Sequence, residues 1–123
     1  MPYQLIWEHR GVVKEFRGDV DGREVIASVV EVEADPRFDA LRFVINDFTA
    51  VQALSLAMPD VDHISAIDWA AARINARIRI AIVTADATLA ELAEEYANSP
   101  MNAYPTRIFP TLGEARAWLA QPT

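Results

Sequence analysis

The order of apolar and amphipathic segments in this 123-residue sequence predicts an α/β fold with a five-stranded, mainly parallel mixed sheet and four helices. Two short runs of strand composition, residues 3–7 and 12–16, flank a turn that contains Gly11, which is typical of a β-hairpin. After the hairpin, apolar β runs alternate with helical segments, as in parallel strands joined by crossover helices. The predicted order is β-β-α-β-α-β-α-β-α, in one domain that spans residues 1–123.

The first helix is predicted over residues 25–33. Asp21 and Glu24 have the spacing of a capping box, and the apolar residues that follow have helical spacing. Several of these residues are β-branched and favour a strand, so the helix depends on the cap and the spacing. Asp35 precedes a proline, which ends the helix.

A buried strand is predicted at residues 41–47, because Phe43, Val44 and Ile45 are apolar on both faces. Residues 48–58 are predicted to form an apolar loop that packs on or covers another part of the protein, since solvated loops are rarely so apolar. The next helix is predicted over residues 59–76. Its apolar stripe contains Ile64, Ile67, Ala71 and Ile74, whereas Trp69 falls on the polar side with Asp62, Ser65 and Arg73.

The rest of the chain repeats the same alternation. A strand at residues 78–84 is followed by a helix that Thr88 and Glu91 are expected to cap and that ends at residues 98–100. A last strand at residues 106–109 leads to a helix capped by Thr111.

Composition narrows function mainly by exclusion. The net charge of −7 argues against general nucleic-acid binding, which depends on neutralising phosphates. No run approaches the ~20 apolar residues of a membrane span, and the N-terminus does not resemble a secretion signal. The absence of cysteine excludes disulfides and thiolate metal sites. The expected location is the cytoplasm.

Motifs that carry catalytic chemistry are missing. The sequence has no nucleophile elbow, no glycine-rich phosphate loop and no His-Glu-x-x-His pattern. Asp60 and His63 are three residues apart, so their side chains could bind one metal ion. Two ligands rarely make a site, however, and the sequence offers no nearby further His or Cys to complete it. The sequence therefore predicts a non-enzymatic protein without metal, cofactor or any converging cluster of titratable groups.

The element order resembles that of the STAS/SEC14 group, the small SpoIIAA-like domains that include the bacterial anti-sigma-factor antagonists. Asp47-Phe48-Thr49 leaves the central strand as Asp-Leu-Ser does in those antagonists. The segments 35–39, 78–83, 108–109 and 115–119 are similar to a less characterised branch of the group. The resemblance implies a regulatory module that acts through protein contacts, and its SEC14 side implies a lipid or other small apolar ligand.

One position departs from the antagonists, which carry a phosphorylated serine where the loop meets the helix. In an alignment without gaps from Asp47, that serine falls on Ala53 and the aspartate before it falls on Gln52. Phosphate needs a hydroxyl, so the usual phosphorylation switch is not expected. Ser55 is the nearest possible substitute.

The predicted ligand or partner patch combines the apolar loop with the tryptophan of the second helix: Phe48, Val51, Leu54, Leu56, Met58 and Trp69. Three interpretations remain open for this patch, namely a satellite core, a protein interface that includes self-association, and a small apolar ligand site. Asn46 and Asp47 form a second candidate, since open α/β sheets bind ligands at the carboxyl ends of their strands. An aspartate there can also simply accept hydrogen bonds from loop amides.

Overall fold

A computed structural model describes residues 2–122 and contains the predicted five strands and four helices. The strands are β1 (Tyr3–Glu8), β2 (Gly11–Asp21), β3 (Phe43–Ser55), β4 (Arg79–Val83) and β5 (Thr106–Phe109). The helices are α1 (Gly22–Ala34), α2 (Met58–Ala71), α3 (Ala87–Ala97) and α4 (Leu112–Leu119), with a short 3₁₀ helix at Pro36–Ala40. The α/β class and the element order are thus confirmed.

The strands form one sheet in the order β1-β2-β3-β4-β5. β1 is antiparallel to β2, and the remaining neighbours are parallel. Helices α1, α2 and α3 cover one face with the larger core, which includes Val12, Phe16 and Leu41. Helix α4 covers a smaller core on the other face, around Ile45 and Ala115.

The capping box of α1 forms as predicted. The Asp21 carboxylate accepts a hydrogen bond from the Glu24 amide at 3.0 Å, and the Glu24 carboxylate accepts one from the Asp21 amide at 3.1 Å. This reciprocal cap offsets the β-branched residues and starts the helix directly after β2.

The predicted apolar loop is wrong, because residues 48–55 continue β3 and pair with β2 as far as Ser55 opposite Asp21. β2 also extends to Asp21, beyond the predicted run of residues 12–16. The pairing shifts register twice, each time with an extra residue on β3. Gly18 has a positive φ of 69° at the second shift, a conformation that glycine adopts readily.

Two helix boundaries also differ from the prediction. Helix α2 ends at Ala71, because Asn75 ties the following turn to the 3₁₀ segment by donating hydrogen bonds to the carbonyls of Phe38 and Leu41 at 2.9 Å each. Helix α3 is capped by Asp86 rather than Thr88, since the Asp86 carboxylate accepts from the Leu89 amide at 2.8 Å.

The buried face of α2 is rotated from the predicted stripe. Its buried residues are Val61, Ile64, Ser65, Asp68 and Ala71. Ile74 is 73% exposed, because it lies in the turn after the helix. On the predicted polar side, Trp69 is exposed but Ser65 is buried.

The tight contact at Gly11 allows a test of the packing. A β-carbon there would overlap the ring of Phe43, whereas one at Gly113 in α4 meets no atom within 4 Å. We expect Gly11→Ala to lower the free energy of unfolding by about 1–3 kcal/mol through overpacking. Gly113→Ala should leave it unchanged or raise it by up to about 1 kcal/mol, because alanine is the better helix former. Urea unfolding measures both, and equal effects would contradict the close packing of Gly11 on Phe43.

Candidate functional site

The outer half of β3 has a strand partner on one side only. β4 ends at Val83, opposite Asp47, so residues 48–55 pair with β2 alone among the described residues. Helix α3 flanks the open side at a distance that leaves a groove of about 520 Å³. We call this the edge groove; it is lined by Phe48, Val51, Gln52, Ala53, Leu54, Leu56, Thr84, Asp86, Thr88, Leu89, Glu91, Leu92 and Glu95.

The edge groove has an apolar floor and an acidic rim. Leucines and other apolar side chains from β3 and α3 form the floor. Asp86, Glu91 and Glu95 are exposed and belong to the loop before α3 or to α3 itself. Lysine and arginine do not occur among its lining residues, so the groove attracts positive charge.

A second, smaller space lies beneath the helices, against the face of the sheet. This inner cavity has a volume of about 90 Å³, and its walls come from β2, β3, β4 and α1, α2 and α3. Most of its lining is aliphatic, with Val25, Val29, Val44, Ile64 and Ile80 as examples.

Five titratable side chains converge on this mostly apolar cavity: Lys14, Glu33, Asp68, Tyr96 and Tyr104. Lys14 is 4% exposed and Asp68 is 8% exposed. The Tyr96 hydroxyl donates a hydrogen bond to Asp68 Oδ2. By contrast, Glu33 Oε2 is buried without a hydrogen-bond partner among residues 2–122, and Lys14 takes part in none of the four ion pairs found in that range.

Burial shifts the protonation of these groups toward their neutral forms. Desolvation lowers the pKa of the Lys14 amine to about 8, although Asp68, Glu33 and Glu31 oppose the shift. Desolvation and the nearby Asp68 carboxylate raise the pKa of Glu33 to about 7. The pKa of Asp68 is also raised by desolvation, while the Tyr96 hydrogen bond and Lys14 act in the opposite direction.

The groove and the cavity share part of their walls. Phe48, Leu54, Leu56, Leu89 and Leu92 line both spaces. Leu54, Leu56 and Leu92 are only half-buried, so this shared wall is the part of the inner cavity closest to the open edge of β3.

The structure brings together four of the six residues of the predicted patch. Phe48, Val51, Leu54 and Leu56 line the edge groove. Met58, at the start of α2, and Trp69, on its outer side, line neither the groove nor the cavity, and they are 43% and 49% exposed. Trp69 is therefore not covered by the segment that the sequence predicted as a loop.

The two residues of the predicted strand-end site face different surroundings. Asn46 lines the inner cavity. Asp47 accepts hydrogen bonds from the Thr49 amide at 2.9 Å and the Thr49 hydroxyl at 2.7 Å, at the first register shift of β3. Asp47 thus has the local backbone role that the sequence left open.

The prediction that no titratable groups converge is wrong. The signals were present in the sequence, because alternation along β2 places Lys14 on the same face as Val12 and Phe16. Asp68 likewise lies one helical turn from Ile64 and from Ala71. No group of three or more metal-ligating side chains was found among residues 2–122. No helix in that part of the chain is long and apolar enough to cross a membrane.

The sheet order, the single antiparallel edge strand and the placement of the helices define a SpoIIAA-like STAS fold. The solved structures with this fold include the anti-sigma factor antagonist SpoIIAA in its unphosphorylated form, with a TM-score of 0.62 at 13% sequence identity, over 94% of each chain. They also include the Bacillus cell fate determinant SpoIIAA in the phosphorylated form, with a TM-score of 0.57 at 16% identity, over 95% of this chain and 98% of that one. No protein-family model and no curated protein sequence matches this chain.

The burial of Lys14 predicts a rise of stability at alkaline pH. The folded protein binds the Lys14 proton with a pKa of about 8, against an ordinary value of 10.5. Between these values the unfolded chain holds more protons, so stability rises with pH. We expect the free energy of unfolding of the wild type, relative to that of Lys14→Met, to rise by about 2 kcal/mol from pH 8 to pH 10.

Urea unfolding at each pH measures this difference. The comparison cancels the tyrosines, which remain in both proteins. A constant difference between the two proteins over this range would contradict the lowered pKa of Lys14 in the folded protein.

Proposed function

We propose that this protein is a non-enzymatic binding module that contacts a partner protein through the edge groove. The observation that carries the proposal is the outer half of β3, which combines an unpaired strand edge with an apolar floor. Unpaired strand edges pair readily with another chain, and proteins usually blunt or cover them. Here the edge is left open beside a groove of about 520 Å³, which supports a role in recognition.

The chemistry of the groove supports one type of occupant. An extended segment can add to the edge of β3 through backbone hydrogen bonds, while alternate side chains reach the apolar floor. The other side chains of that segment face Asp86, Glu91 and Glu95 on the rim. The proposed occupant is therefore an extended segment of a partner protein in which apolar residues alternate with lysine or arginine.

The same proposal includes the absence of the usual switch serine. The position that corresponds to it in the alignment without gaps is Ala53, which lines the groove and has no hydroxyl. Ser55 is exposed at the end of β3, opposite Asp21. If the wild type incorporates phosphate and Ser55→Ala does not, Ser55 serves as the switch serine and this part of the proposal is wrong.

The inner cavity favours a second candidate function, the binding of a small ligand. Small-molecule sites are mostly apolar spaces with a few converging polar groups, and the inner cavity has both features. This candidate is compatible with the first, because the cavity and the groove meet at their shared wall.

Peptide binding tests the groove. The probe is an eight-residue peptide that alternates valine and lysine, compared with one in which glutamate replaces lysine. We expect the lysine peptide to bind and the glutamate peptide not to bind. The double variant Glu91→Lys/Glu95→Lys should weaken binding of the lysine peptide about fivefold to tenfold, because it reverses the charge of the rim. Fluorescence anisotropy gives the affinities. Glu94→Lys is the matched control, because Glu94 is exposed on the same helix but does not line the groove.

Hydrogen exchange locates the peptide. Strand addition should slow amide exchange within residues 48–55, since unpaired edge amides gain partners. Equal loss of affinity in Glu94→Lys, or protection elsewhere in the chain, would show that the peptide does not pair with β3 and would contradict the proposal.

A second copy of the chain is the other occupant to be tested. The acidic rim and the net charge of −7 oppose the pairing of two identical grooves. Trp69 offers a separate aromatic anchor outside the groove. Light scattering over a range of concentrations should give a monomer. A dimer that weakens in Trp69→Ala would place the main protein contact on α2 instead.

A further inference from the structure

The only lysine of the chain lies inside the inner cavity. Ten of the eleven basic residues are arginines, and Lys14 is the exception. Its amine belongs to none of the ion pairs within residues 2–122 and is 4% exposed. An arginine would carry a permanent charge at this position, whereas a buried lysine can lose its proton and act as a nucleophile.

The surroundings of Lys14 limit the kind of ligand. A carboxylate or phosphate would add negative charge next to Glu33 and Asp68, so a neutral molecule is favoured. Because the walls are mostly aliphatic, the part of the ligand that contacts them is expected to be apolar. The volume of about 90 Å³ is below that of the ~150 Å³ engineered cavity that admits benzene, so the ligand is short.

We propose that the inner cavity binds a short, neutral aliphatic aldehyde or ketone, which forms a reversible imine with Lys14. This inference rests on the second candidate function, ligand binding in the inner cavity, and is independent of the partner in the edge groove. The ligand enters past the half-buried leucines of the shared wall, Leu54, Leu56 and Leu92.

The reaction balances without any further reagent. The neutral amine of Lys14 attacks the carbonyl carbon, and a proton moves from nitrogen to oxygen to give a carbinolamine. The carbinolamine oxygen then takes a proton from a carboxylic acid and leaves as water, while the carbon–nitrogen double bond forms. The resulting iminium returns its proton to the carboxylate and becomes the neutral imine.

Glu33 and Asp68 are the acids on hand for these proton transfers. Glu33 is the better placed of the two, since its Oε2 is buried without a hydrogen-bond partner in the described chain, whereas Asp68 already accepts from Tyr96. The pKa of about 7 lets Glu33 give and take a proton near neutral pH. The pKa of Lys14 near 8 leaves a larger fraction of neutral amine than an exposed lysine has.

Reductive trapping tests the proposal. The protein is incubated with butanal and cyanoborohydride at pH 7, and intact mass and peptide mapping locate the added butyl groups. Arginine does not give this product, so Lys14 and the terminal α-amino group are the only amines of the wild type. A reference protein carries Glu94→Lys, which supplies an ordinary exposed lysine.

We expect Lys14 to be labelled at least about tenfold faster than the lysine introduced at position 94, because more of its amine is neutral. Glu33→Gln should slow labelling of Lys14 about tenfold, since it keeps the shape of the side chain but removes the acid. A large aromatic aldehyde should label the exposed amines and leave Lys14 unmodified, because it does not fit the cavity.

Each of the opposite results overturns the inference. Labelling of Lys14 by both aldehydes alike would show that the cavity does not select the ligand. Slower labelling of Lys14 than of the exposed lysine would show that it is not an activated amine.

Butan-1-ol serves as a ligand of similar size that cannot form an imine, and amide NMR shifts of cavity residues report its binding. If butanol binds but butanal is not trapped at Lys14, the imine is wrong and the ligand-binding function stands. If neither compound shifts the cavity residues and Lys14 is not labelled, both the imine and the ligand-binding function fail. The peptide experiment on the edge groove is unaffected by either result.

Discussion

The long parallel pairing of β2 with β3 is the constraint on which the rest of this structure depends. β4 accompanies β3 only from Phe43 to Asp47, but β2 follows it to Ser55. β2 therefore holds the outer half of β3 in place while its other side stays open. The capping box at Asp21 starts α1 where this pairing ends, which directs the chain back over the sheet. The open edge is a consequence of this arrangement.

The charged groups of the inner cavity lower the stability of the folded protein. Removing charge from water costs free energy unless close partners compensate, and Lys14 has no ion-pair partner among residues 2–122. The raised pKa of Glu33 likewise shows that folding disfavours the charged form of this side chain. The folded protein holds a proton that the unfolded chain releases above its ordinary pKa of 4.5. Stability from this group therefore falls as pH rises from about 4.5 to 7. Sites that depart from optimal packing in this way are common where a protein binds or reacts.

The fold was predictable because local signals and the global pattern agreed over most of the chain. The cap at Asp21 correctly outweighed the β-branched residues of α1, and the apolar runs at β3 and β4 were correctly assigned to buried parallel strands. The error at residues 48–55 has a physical cause. A strand with one open edge and two register shifts has neither the alternation nor the uniform apolarity of a regular strand, so it resembled an apolar loop.

The candidate site was predictable only in part, because its members come from separate elements. The groove side of β3 was found from its unusual apolarity alone. The predicted site omits Lys14 and Asp68, although strand and helix periodicity places both on buried faces. Their proximity follows from the parallel order of the sheet and the helices above it, and no pattern within a single segment contains that information.

The shared wall connects the two spaces physically. Leu54 lies in β3 and Leu56 follows its end, and both residues also line the inner cavity. In the two proposals, a segment that pairs with β3 contacts this wall, and a ligand enters the cavity past it. Close-packed side chains move by discrete rotamer changes rather than by continuous deformation. A rearrangement of these leucines by an occupant of one space therefore alters the shape of the other. By thermodynamic reciprocity, any effect of a groove-bound segment on ligand affinity is matched by an equal effect of the ligand on binding of that segment.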